Sequence, residues 1–377
     1  IADPFMPNKI ERGDLADIRE CIGCNICVSG DFTMSPIRCT QNPTMGEEFR
    51  RGWHPERISV KGSDSSVLVV GAGPAGLEAA RALGNRGYPV TLTEASRVLG
   101  GRVARESKLP GLSAWIRVID YRLQQLDRLD NVEIYRESPM STDDILEYGF
   151  DHVVIATGAS WRNDGVGRWH THPIEIDSST AVFTPDDIMA GARPTGKRVV
   201  LFDDDHYYLG AVIAEMLAKE GFAVTLVTPV PQVSQWTTNT MEAHRIRARI
   251  MDAGVDVCTD TAVTAVDASG VQTACRFTGR TGHLDADAVV MVTARLPHDE
   301  LYTQLHERSD DWAAAGVRSV TGVGDAWAPS TIAAAVWSGH RFAEELDVPR
   351  NDDPVPFRRE VTQLSIEPVF NTPVSVS

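Results

Sequence analysis

The stretch VLVVGAGPAG at residues 67–76 decides the fold of this chain. Its apolar first part, Val67–Val70, is typical of a strand that is buried on both faces, and the glycine-rich second part opens a helix. The helix ends near Gly87, and a second apolar strand, Val90–Thr93, leads to Glu94. Strand, turn, helix and strand within about 30 residues form the building unit of a parallel sheet, so the sequence predicts an α/β fold.

The glycines of this turn have the G-x-G-x-x-G spacing of dinucleotide-binding units. Gly71 is expected to form the tight turn, Gly73 to let the backbone approach a pyrophosphate, and Gly76 to let helix and strand pack closely. The helix N-terminus attracts the anion, and Glu94 is placed to accept hydrogen bonds from the adenosine ribose. A carboxylate there disfavours a 2′-phosphate, so NADP is not expected at this site. The alternative is a unit of the same fold that binds no nucleotide.

Eight further residues are expected to line the same nucleotide. They are Pro74, Ala75, Gly101, Arg102, Thr157, Gly158, Gly324 and Asp325. In flavoprotein reductases, segments of this kind and in this order contact the phosphates, the adenosine and the ribityl chain of FAD. Each segment alone indicates only a turn, but together they favour an architecture with two dinucleotide-binding-type domains.

A second strand–helix–strand unit begins at Lys197 and lacks the early glycines of the first. Its phosphate turn carries Asp203, Asp204 and Asp205 instead. Three carboxylates at the position of a diphosphate oppose nucleotide binding through like-charge repulsion. The sequence therefore predicts a domain that keeps the scaffold but has lost the nucleotide, with an Asp-rich divalent-metal site as the alternative.

Four of the six cysteines lie close together before the first strand. Cys21, Cys24 and Cys27 have a C-x2-C-x2-C spacing, and Cys39 follows after eleven further residues. Three such thiolates wrap one face of an iron–sulfur cluster, and a fourth from a returning loop completes the ligation. The pattern favours one [4Fe–4S] cluster. A zinc site, which usually shows two separated C-x2-C pairs, and ordinary buried cysteines are the alternatives.

Composition and charge exclude several other classes of protein. The 377 residues are 42% hydrophobic and 23% charged, as in ordinary globular chains, and no apolar run approaches the length of a membrane span. The formal net charge of −16 opposes contact with nucleic acid or anionic lipid. No secretory signal is recognisable, and clustered cysteines are typical of a reducing compartment, so a cytoplasmic location is expected.

The chain is expected to divide into three parts. Residues 1–65 would form an irregular segment around the cluster. Residues 66–190 together with 296–377 would form an ADP- or FAD-binding-type Rossmann domain, and residues 191–295 an NAD-binding-like domain without the glycine fingerprint. The proline-rich end after Val348 predicts an extended arm.

Taken together, these residues resemble the C-terminal portion of the trimethylamine, dimethylamine and histamine dehydrogenase family, iron–sulfur flavoproteins related to 2,4-dienoyl-CoA reductase and old yellow enzyme. The resemblance covers essentially the whole chain. Its most specific stretches are Cys21–Cys27, Arg38–Asn42, Gly46–Glu56 and Thr157–Trp161.

In that family a TIM barrel with covalently held FMN precedes this region, and Ile1–Phe5 looks like the end of that barrel. The resemblance thus implies that the barrel, with its FMN and substrate pocket, is absent from this chain, which itself holds no catalytic residue. By position, Cys21, Cys24, Cys27 and Cys39 would ligate the cluster. The amine-oxidising members hold ADP where their reductase relatives hold FAD, so ADP is expected at the first unit.

The resemblance implies an amine dehydrogenase whose electrons pass from FMN to the cluster and then to a protein acceptor such as electron-transfer flavoprotein. Tyr207 matches the position of a tyrosine at the groove used by that acceptor, and Glu20 would lie near the same surface. A homodimer is expected. The alternatives are an NAD(P)H-dependent ene- or dienoyl-CoA-type reductase with FAD, and a separate electron-transfer subunit without a substrate of its own.

Overall fold

The structure is a computed structural model that describes residues 1–349 and 355. Most of the predicted extended arm therefore lies outside the described residues. In chain order the strands are β1 (Val67–Val70), β2 (Val90–Thr93), β3 (Val132–Tyr135), β4 (His152–Ile155), β5 (Ala159–Trp161), β6 (Glu175–Ile176), β7 (Val182–Phe183), β8 (Arg198–Asp203), β9 (Ala223–Val227), β10 (Asp256–Cys258), β11 (Thr261–Asp267), β12 (Gly270–Cys275), β13 (Thr281–Asp285), β14 (Ala288–Val292), β15 (Arg295–Pro297) and β16 (Ser319–Gly322).

The helices lie mainly between these strands. They are α1 (Met6–Arg12), α2 (Ile26–Phe32), α3 (Glu48–Arg51), α4 (Pro74–Arg86), α5 (Gly101–Glu106), α6 (Arg117–Leu126), α7 (Thr142–Tyr148), α8 (Pro185–Met189), α9 (Leu209–Lys219), α10 (Ala243–Asp252), α11 (Glu300–Glu307), α12 (Trp312–Ala315) and α13 (Ile332–Glu345). In the part of the chain that the structure describes, no helix combines the length and the apolar character needed to span a bilayer.

The first α/β unit is built on a five-stranded parallel sheet in the order β16-β4-β1-β2-β3. All four residues of β1 and of β4 are buried. Strands covered on both faces need apolar side chains on both faces, and this explains the unbroken apolar run at Val67–Val70. Helices α4 and α13 pack against each other through small residues, since a Cβ on Gly339 would lie 2.1 Å from the carbonyl oxygen of Ala75. The predicted α/β fold with parallel sheets is confirmed.

The second unit has its own five-stranded parallel sheet, in the order β10-β9-β8-β14-β7. Strand β7 pairs with β14 in this sheet although it precedes residue 191, where the second domain is predicted to begin. The sheet thus recruits a strand from the predicted first part. Antiparallel pairing of β5 with β15 joins the two stretches of chain that run between the units, and β13-β12-β11-β6 form a further sheet beside the second unit.

The N-terminal segment, residues 1–65, contacts the first unit through buried polar side chains as well as through Ile22, which belongs to the hydrophobic core. Gln41 is buried, donates to the Glu20 and Arg117 carbonyls at 2.9 and 3.2 Å, and accepts from Arg122 of α6 at 3.2 Å. Arg122 in turn lies 2.8 Å from Glu78 of α4, and both side chains are buried. Detaching the segment would leave the buried amide of Gln41 and part of the Arg122 guanidinium without hydrogen-bond partners, so these contacts hold the segment against α6.

Candidate functional site

The four predicted cluster ligands are grouped in the N-terminal segment. Cys21 is exposed, and Cys24, Cys27 and Cys39 are partly buried. Charges on Cys39 and Cys21 act on the Cys24 thiol, and charges on Cys27 and Cys21 act on Cys39. The returning loop therefore brings Cys39 within electrostatic range of the other thiols, and shared ligation of one cluster by the four cysteines stays a prediction.

Backbone amides surround these sulfurs. The Gly23 amide donates to Cys21 Sγ at 3.4 Å, the Ile26 amide donates to Cys24, and the Gln41 and Asn42 amides donate to Cys39. Gly23 at φ +70° lies in the left-handed region that lets the loop turn its amide toward the thiol. Amide donors stabilise negative charge on sulfur, so the loop geometry suits thiolate ligands.

Burial favours the protonated form of two of these thiols, Cys24 and Cys39. Burial raises the pKa of Cys24 to about 11 and also raises the pKa of Cys39. Metal binding would therefore release protons from these residues. Within residues 1–349 and 355, no group of three or more His, Cys, Asp or Glu side chains is close enough together to hold a metal ion. The all-thiol donor set and its amide donors fit an iron–sulfur cluster in chemistry, and the cluster itself stays a prediction.

The glycine-rich turn joins β1 to α4. A Cβ on Gly71 would lie 2.4 Å from the Ala156 carbonyl oxygen, and one on Gly76 would lie 1.9 Å from the Gly71 carbonyl oxygen. Both positions are therefore restricted to glycine by the close approach of backbone atoms. A Cβ on Gly73, by contrast, meets no atom within 4 Å. The open space at the N-terminus of α4 is where an anionic group is best placed.

Glu94, at the end of the next strand, lies beside the glycine-rich turn. Its carboxylate accepts hydrogen bonds from the Ala72 amide at 2.9 Å and from the Ser96 amide and hydroxyl at 2.9 and 2.8 Å. A carboxylate offers about four acceptor positions, so acceptor capacity remains for ribose hydroxyls. The predicted role of Glu94 is compatible with its position.

Most of the other predicted nucleotide residues surround the start of α4. A Cβ on Gly101 would lie 3.2 Å from Gly73, and one on Gly324 would lie 2.6 Å from the Ala75 side chain. Pro74 is the first residue of the helix. Thr157 follows the Ala156 carbonyl beside Gly71, and the amide of His298 donates to the carbonyl oxygen of Gly158 at 2.9 Å.

Arg102 and Asp325 form a salt bridge with each other. Their charged groups are 3.2 Å apart, and Arg102 also lies 2.7 Å from Glu106. Arg295, which the sequence analysis did not single out, donates a further hydrogen bond to the same Asp325 oxygen. One carboxylate oxygen of Asp325 is therefore shared between two arginines.

The phosphate turn of the second unit corrects the expectation of three carboxylates facing a diphosphate. Asp203 and Asp204 are fully buried and turn inward. Asp203 accepts from the His206 amide at 3.0 Å, and Asp204 accepts from the Trp169 amide at 2.7 Å. Buried backbone amides need acceptors, and these side chains supply them. Burial raises the pKa of Asp203 to about 7.

Of these three carboxylates, only Asp205 lines the large cavity between the two units. The physical basis for a lost nucleotide site changes accordingly. In a glycine-rich turn the amides remain free for phosphate, whereas here the His206 amide donates to Asp203. The Asp203 side chain occupies an amide of this turn, and that occupation opposes a diphosphate more than charge repulsion does.

A cavity of about 450 Å³ lies between the N-terminal segment and the two units. Its walls combine Cys24 with aromatic and charged side chains from both units. They include Arg102, Trp115, Trp161, Arg168, Asp205, Tyr207, Tyr208, Trp236 and Arg295. Sequence reasoning missed most of these residues, because no motif connects positions that only the packing of two domains brings together.

Tyr207 and Glu20 occupy different environments. The Tyr207 ring is half-buried in the cavity wall, in edge contact with Tyr208 and Trp236 at centroid distances of 4.6 and 4.7 Å. Burial raises the pKa of Tyr207, and the charge of Cys24 acts in the same direction, so the two residues are neighbours. Glu20 is exposed and lies 2.8 Å from Arg117, whose guanidinium also donates to the Cys21 carbonyl.

Family models match both α/β units. Residues 65–187 match the pyridine nucleotide-disulphide oxidoreductase family, and residues 183–280 match the OYE-like second alpha/beta domain. The first match covers the glycine-rich turn, and the second begins within β7.

Comparisons that span nearly the whole of this chain agree with these matches. Dimethylamine dehydrogenase from Hyphomicrobium sp. (strain x) is 39% identical over 96% of this chain and 52% of its own length. The structure of histamine dehydrogenase from Rhizobium sp. 4-9 is 57% identical, with a TM-score of 0.94 over 98% of this chain and 57% of that protein. The structure of 6-hydroxypseudooxynicotine amine oxidase from Pseudomonas geniculata N1 is 45% identical, with a TM-score of 0.89 over 92% of this chain and 52% of that protein.

The chain thus spans little more than half the length of these relatives. Two of them are named as amine dehydrogenases and one as an amine oxidase, and the similarity extends from the cysteine segment through both α/β units. The chain is therefore similar over nearly its whole length to part of the dimethylamine and histamine dehydrogenases, and its two α/β units match the pyridine nucleotide-disulphide oxidoreductase model and the OYE-like second alpha/beta domain model.

Proposed function

We propose that this chain is the electron-transfer and nucleotide-binding part of an iron–sulfur flavoprotein that oxidises amines. The observation that carries the proposal is the grouping of four thiols beside a nucleotide-type domain in a homologue of amine dehydrogenases. Oxidation of an amine to an imine, and hydrolysis to an aldehyde and ammonia or a smaller amine, would occur at an FMN held by a TIM barrel. No residue of this chain is assigned a catalytic role.

Cys21, Cys24, Cys27 and Cys39 would hold the [4Fe–4S] cluster. When bound, the cluster would supply a one-electron carrier between the flavin and the acceptor. The chain's own contribution would be four thiols that lose their protons on binding and backbone amides that donate to Cys21, Cys24 and Cys39. These donors offset the negative charge that accumulates on a thiolate-ligated cluster.

The first unit would hold ADP. Gly71, Gly73 and the start of α4 suit a diphosphate, and Glu94 suits the ribose of adenosine. The flavin half of FAD would need further hydrogen-bonding partners near Asp325. Because Arg102 and Arg295 already share an oxygen of that side chain, the arrangement supports ADP over FAD.

Replacing Gly73 with alanine is expected to weaken nucleotide retention without lowering the melting temperature. The Gly73 backbone is extended, at φ −76° and ψ −177°, and its Cβ would enter open space. That space is the one assigned to the diphosphate, so the methyl group would displace the ligand. Nucleotide released by acid from the purified protein, separated by chromatography, measures the effect: ADP in the wild type, and little in Gly73→Ala.

Gly76→Ala serves as the contrasting variant. Its Cβ would lie 1.9 Å from the Gly71 carbonyl, so it should destabilise the fold itself, by about 1–3 kcal/mol for overpacking of this kind. Stoichiometric FAD from the wild type would contradict the assignment of ADP. Full retention of ADP by Gly73→Ala would contradict the assignment of the diphosphate to the turn.

Electrons would leave toward a protein acceptor of the electron-transfer flavoprotein type near Tyr207. Tyr207 neighbours Cys24 and is only partly covered. It therefore offers a short path from a proposed ligand to the surface. Glu20, exposed directly before Cys21, would flank the same part of the chain.

Tyr207→Ala is expected to lower the rate with the protein acceptor by about tenfold, the effect of losing roughly 1.4 kcal/mol at an interface. The rate with a small artificial dye should stay within about twofold, because a dye needs no docking surface. Steady-state assays of the complete enzyme with both acceptors measure the difference. Tyr148→Ala, which removes a tyrosine that is 67% exposed on α7, is the control and should change neither rate. Equal losses with both acceptors in Tyr207→Ala would refute the exit surface.

The second candidate function is an NAD(P)H-dependent reductase, and reductases are among the relatives of this chain. One observation favours it. The cavity between the two units borders Cys24, so a nicotinamide in that cavity would lie beside the proposed cluster. The closed turn at Asp203 opposes it, because a nicotinamide dinucleotide would lack free amides for its diphosphate.

A separate electron-transfer subunit would show the same cysteine segment but would copurify with a barrel chain.

A further inference from the structure

Thr40 contacts one of the proposed ligand sulfurs through its side chain. It is 3% exposed, and its Oγ1 lies 3.2 Å from the Sγ of Cys24. A hydroxyl in this position has little access to water, so the sulfur is its main polar neighbour.

The direction of this hydrogen bond follows from the state of the sulfur. In a free thiol either group can donate. A sulfur bound to iron carries no proton, so the Thr40 hydroxyl must donate. Cys21 and Cys39 receive backbone amides, whereas Cys24 receives a hydroxyl in addition to an amide.

Cys24 is also the proposed ligand that borders the cavity between the two units. Cys24 and Thr40 both line the cavity that contains Tyr207. A donor at Cys24 therefore acts at the edge of the cluster from which electrons would leave.

We propose that Thr40 is a positioning residue that raises the reduction potential of the cluster by donating a hydrogen bond to Cys24. The inference rests on the proposed function, since it requires the cluster. Reduction adds negative charge, and a hydrogen bond to a ligand sulfur stabilises the more negative state more strongly. Removing the hydroxyl should therefore make the cluster harder to reduce.

The experiment compares Thr40→Val with Thr40→Ser in the complete enzyme. Valine has nearly the shape of threonine but no donor, and serine keeps the donor. Midpoint potentials are measured by redox titration monitored by EPR. Thr40→Val is expected to lower the equilibrium constant for reduction about tenfold, which is 59 mV for a one-electron couple. Thr40→Ser is expected to restore the wild-type potential.

Thr44→Val is the matched control. Thr44 is 1% exposed and donates to Asn42 at 2.8 Å, so this variant removes a buried hydroxyl from the same segment without touching a cysteine. Its potential should equal that of the wild type. A Thr40→Val protein with full iron content and an unchanged potential would overturn the inference, as would an equal shift in Thr44→Val.

Iron content separates the remaining outcomes. If Thr40→Val loses iron, Thr40→Ala is titrated instead. Loss of iron from both variants would mean that Thr40 holds the segment together, and would overturn the inference. Absence of iron and labile sulfide from the wild type would instead reject the proposed function on which the inference rests.

Discussion

Replacing Cys39 with alanine is expected to remove the iron–sulfur cluster entirely. Iron and acid-labile sulfide should each approach four per chain in the wild type and fall close to zero in the variant. The reason is geometric, because Cys39 is the ligand that returns from outside the Cys21–Cys27 loop. Around these thiols the described segment buries few apolar side chains, among them Ile22, Ile26 and Trp53. Little else would hold the loop in place for three ligands.

The matched control is Cys275→Ala. Cys275 is also a free, partly buried cysteine, but it lies at the end of β12, in the second unit. This variant should keep the full complement of iron and sulfide. Both proteins should retain ADP, because the nucleotide turn belongs to the first sheet. Stoichiometric zinc without labile sulfide in the wild type would contradict the cluster assignment, as would a Cys39→Ala protein with unchanged iron.

The first unit could be predicted from its sequence because several local signals agree there. The two apolar runs are explained by parallel strands that are covered on both faces, and the glycines between them are explained by a tight turn. The observed strands, Val67–Val70 and Val90–Thr93, coincide with the predicted ones. The cysteine spacing was similarly local, and the structure places Cys39 within electrostatic range of Cys21, Cys24 and Cys27.

The carboxylates of the second turn could not be placed from sequence. Composition gives the charge of Asp203, Asp204 and Asp205, but not the direction in which each side chain points. That direction depends on which amides need an acceptor after folding. Two of the three satisfy amides of His206 and Trp169, and the Trp169 amide is remote in sequence from its acceptor.

Contacts between residues far apart in the chain also could not be predicted from the sequence. Arg295 lies in β15, which pairs with β5, and it donates to Asp325, 30 residues later in the chain. Thr40 could be seen beside Cys39 in the sequence, but its hydroxyl bonds to Cys24. The short strand β7 carries no strong pattern of its own and joins a sheet whose other strands lie later in the chain.

Reduction by an amine, and not by NADH or NADPH, is the second large effect that we expect. The His206 amide is engaged by Asp203, and Asp205 adds a negative charge that would face an incoming diphosphate. Each such pair at a few ångströms costs about 1–4 kcal/mol, depending on the effective dielectric. Three arginines of the cavity, Arg295, Arg168 and Arg102, act on Asp205 and offset part of this cost. The second unit should therefore not deliver electrons from a nicotinamide.

An anaerobic titration of the complete protein, loaded with the proposed FMN and monitored by EPR, distinguishes an amine dehydrogenase from a reductase. Dimethylamine, trimethylamine and histamine are added in one series, and NADH and NADPH in the other. Our account predicts that an amine from the first series produces the S = 1/2 signal of one reduced [4Fe–4S] cluster, and that neither nucleotide does. The same signal produced by NADH or NADPH, with none of the amines active, would contradict it and assign the chain to a reductase.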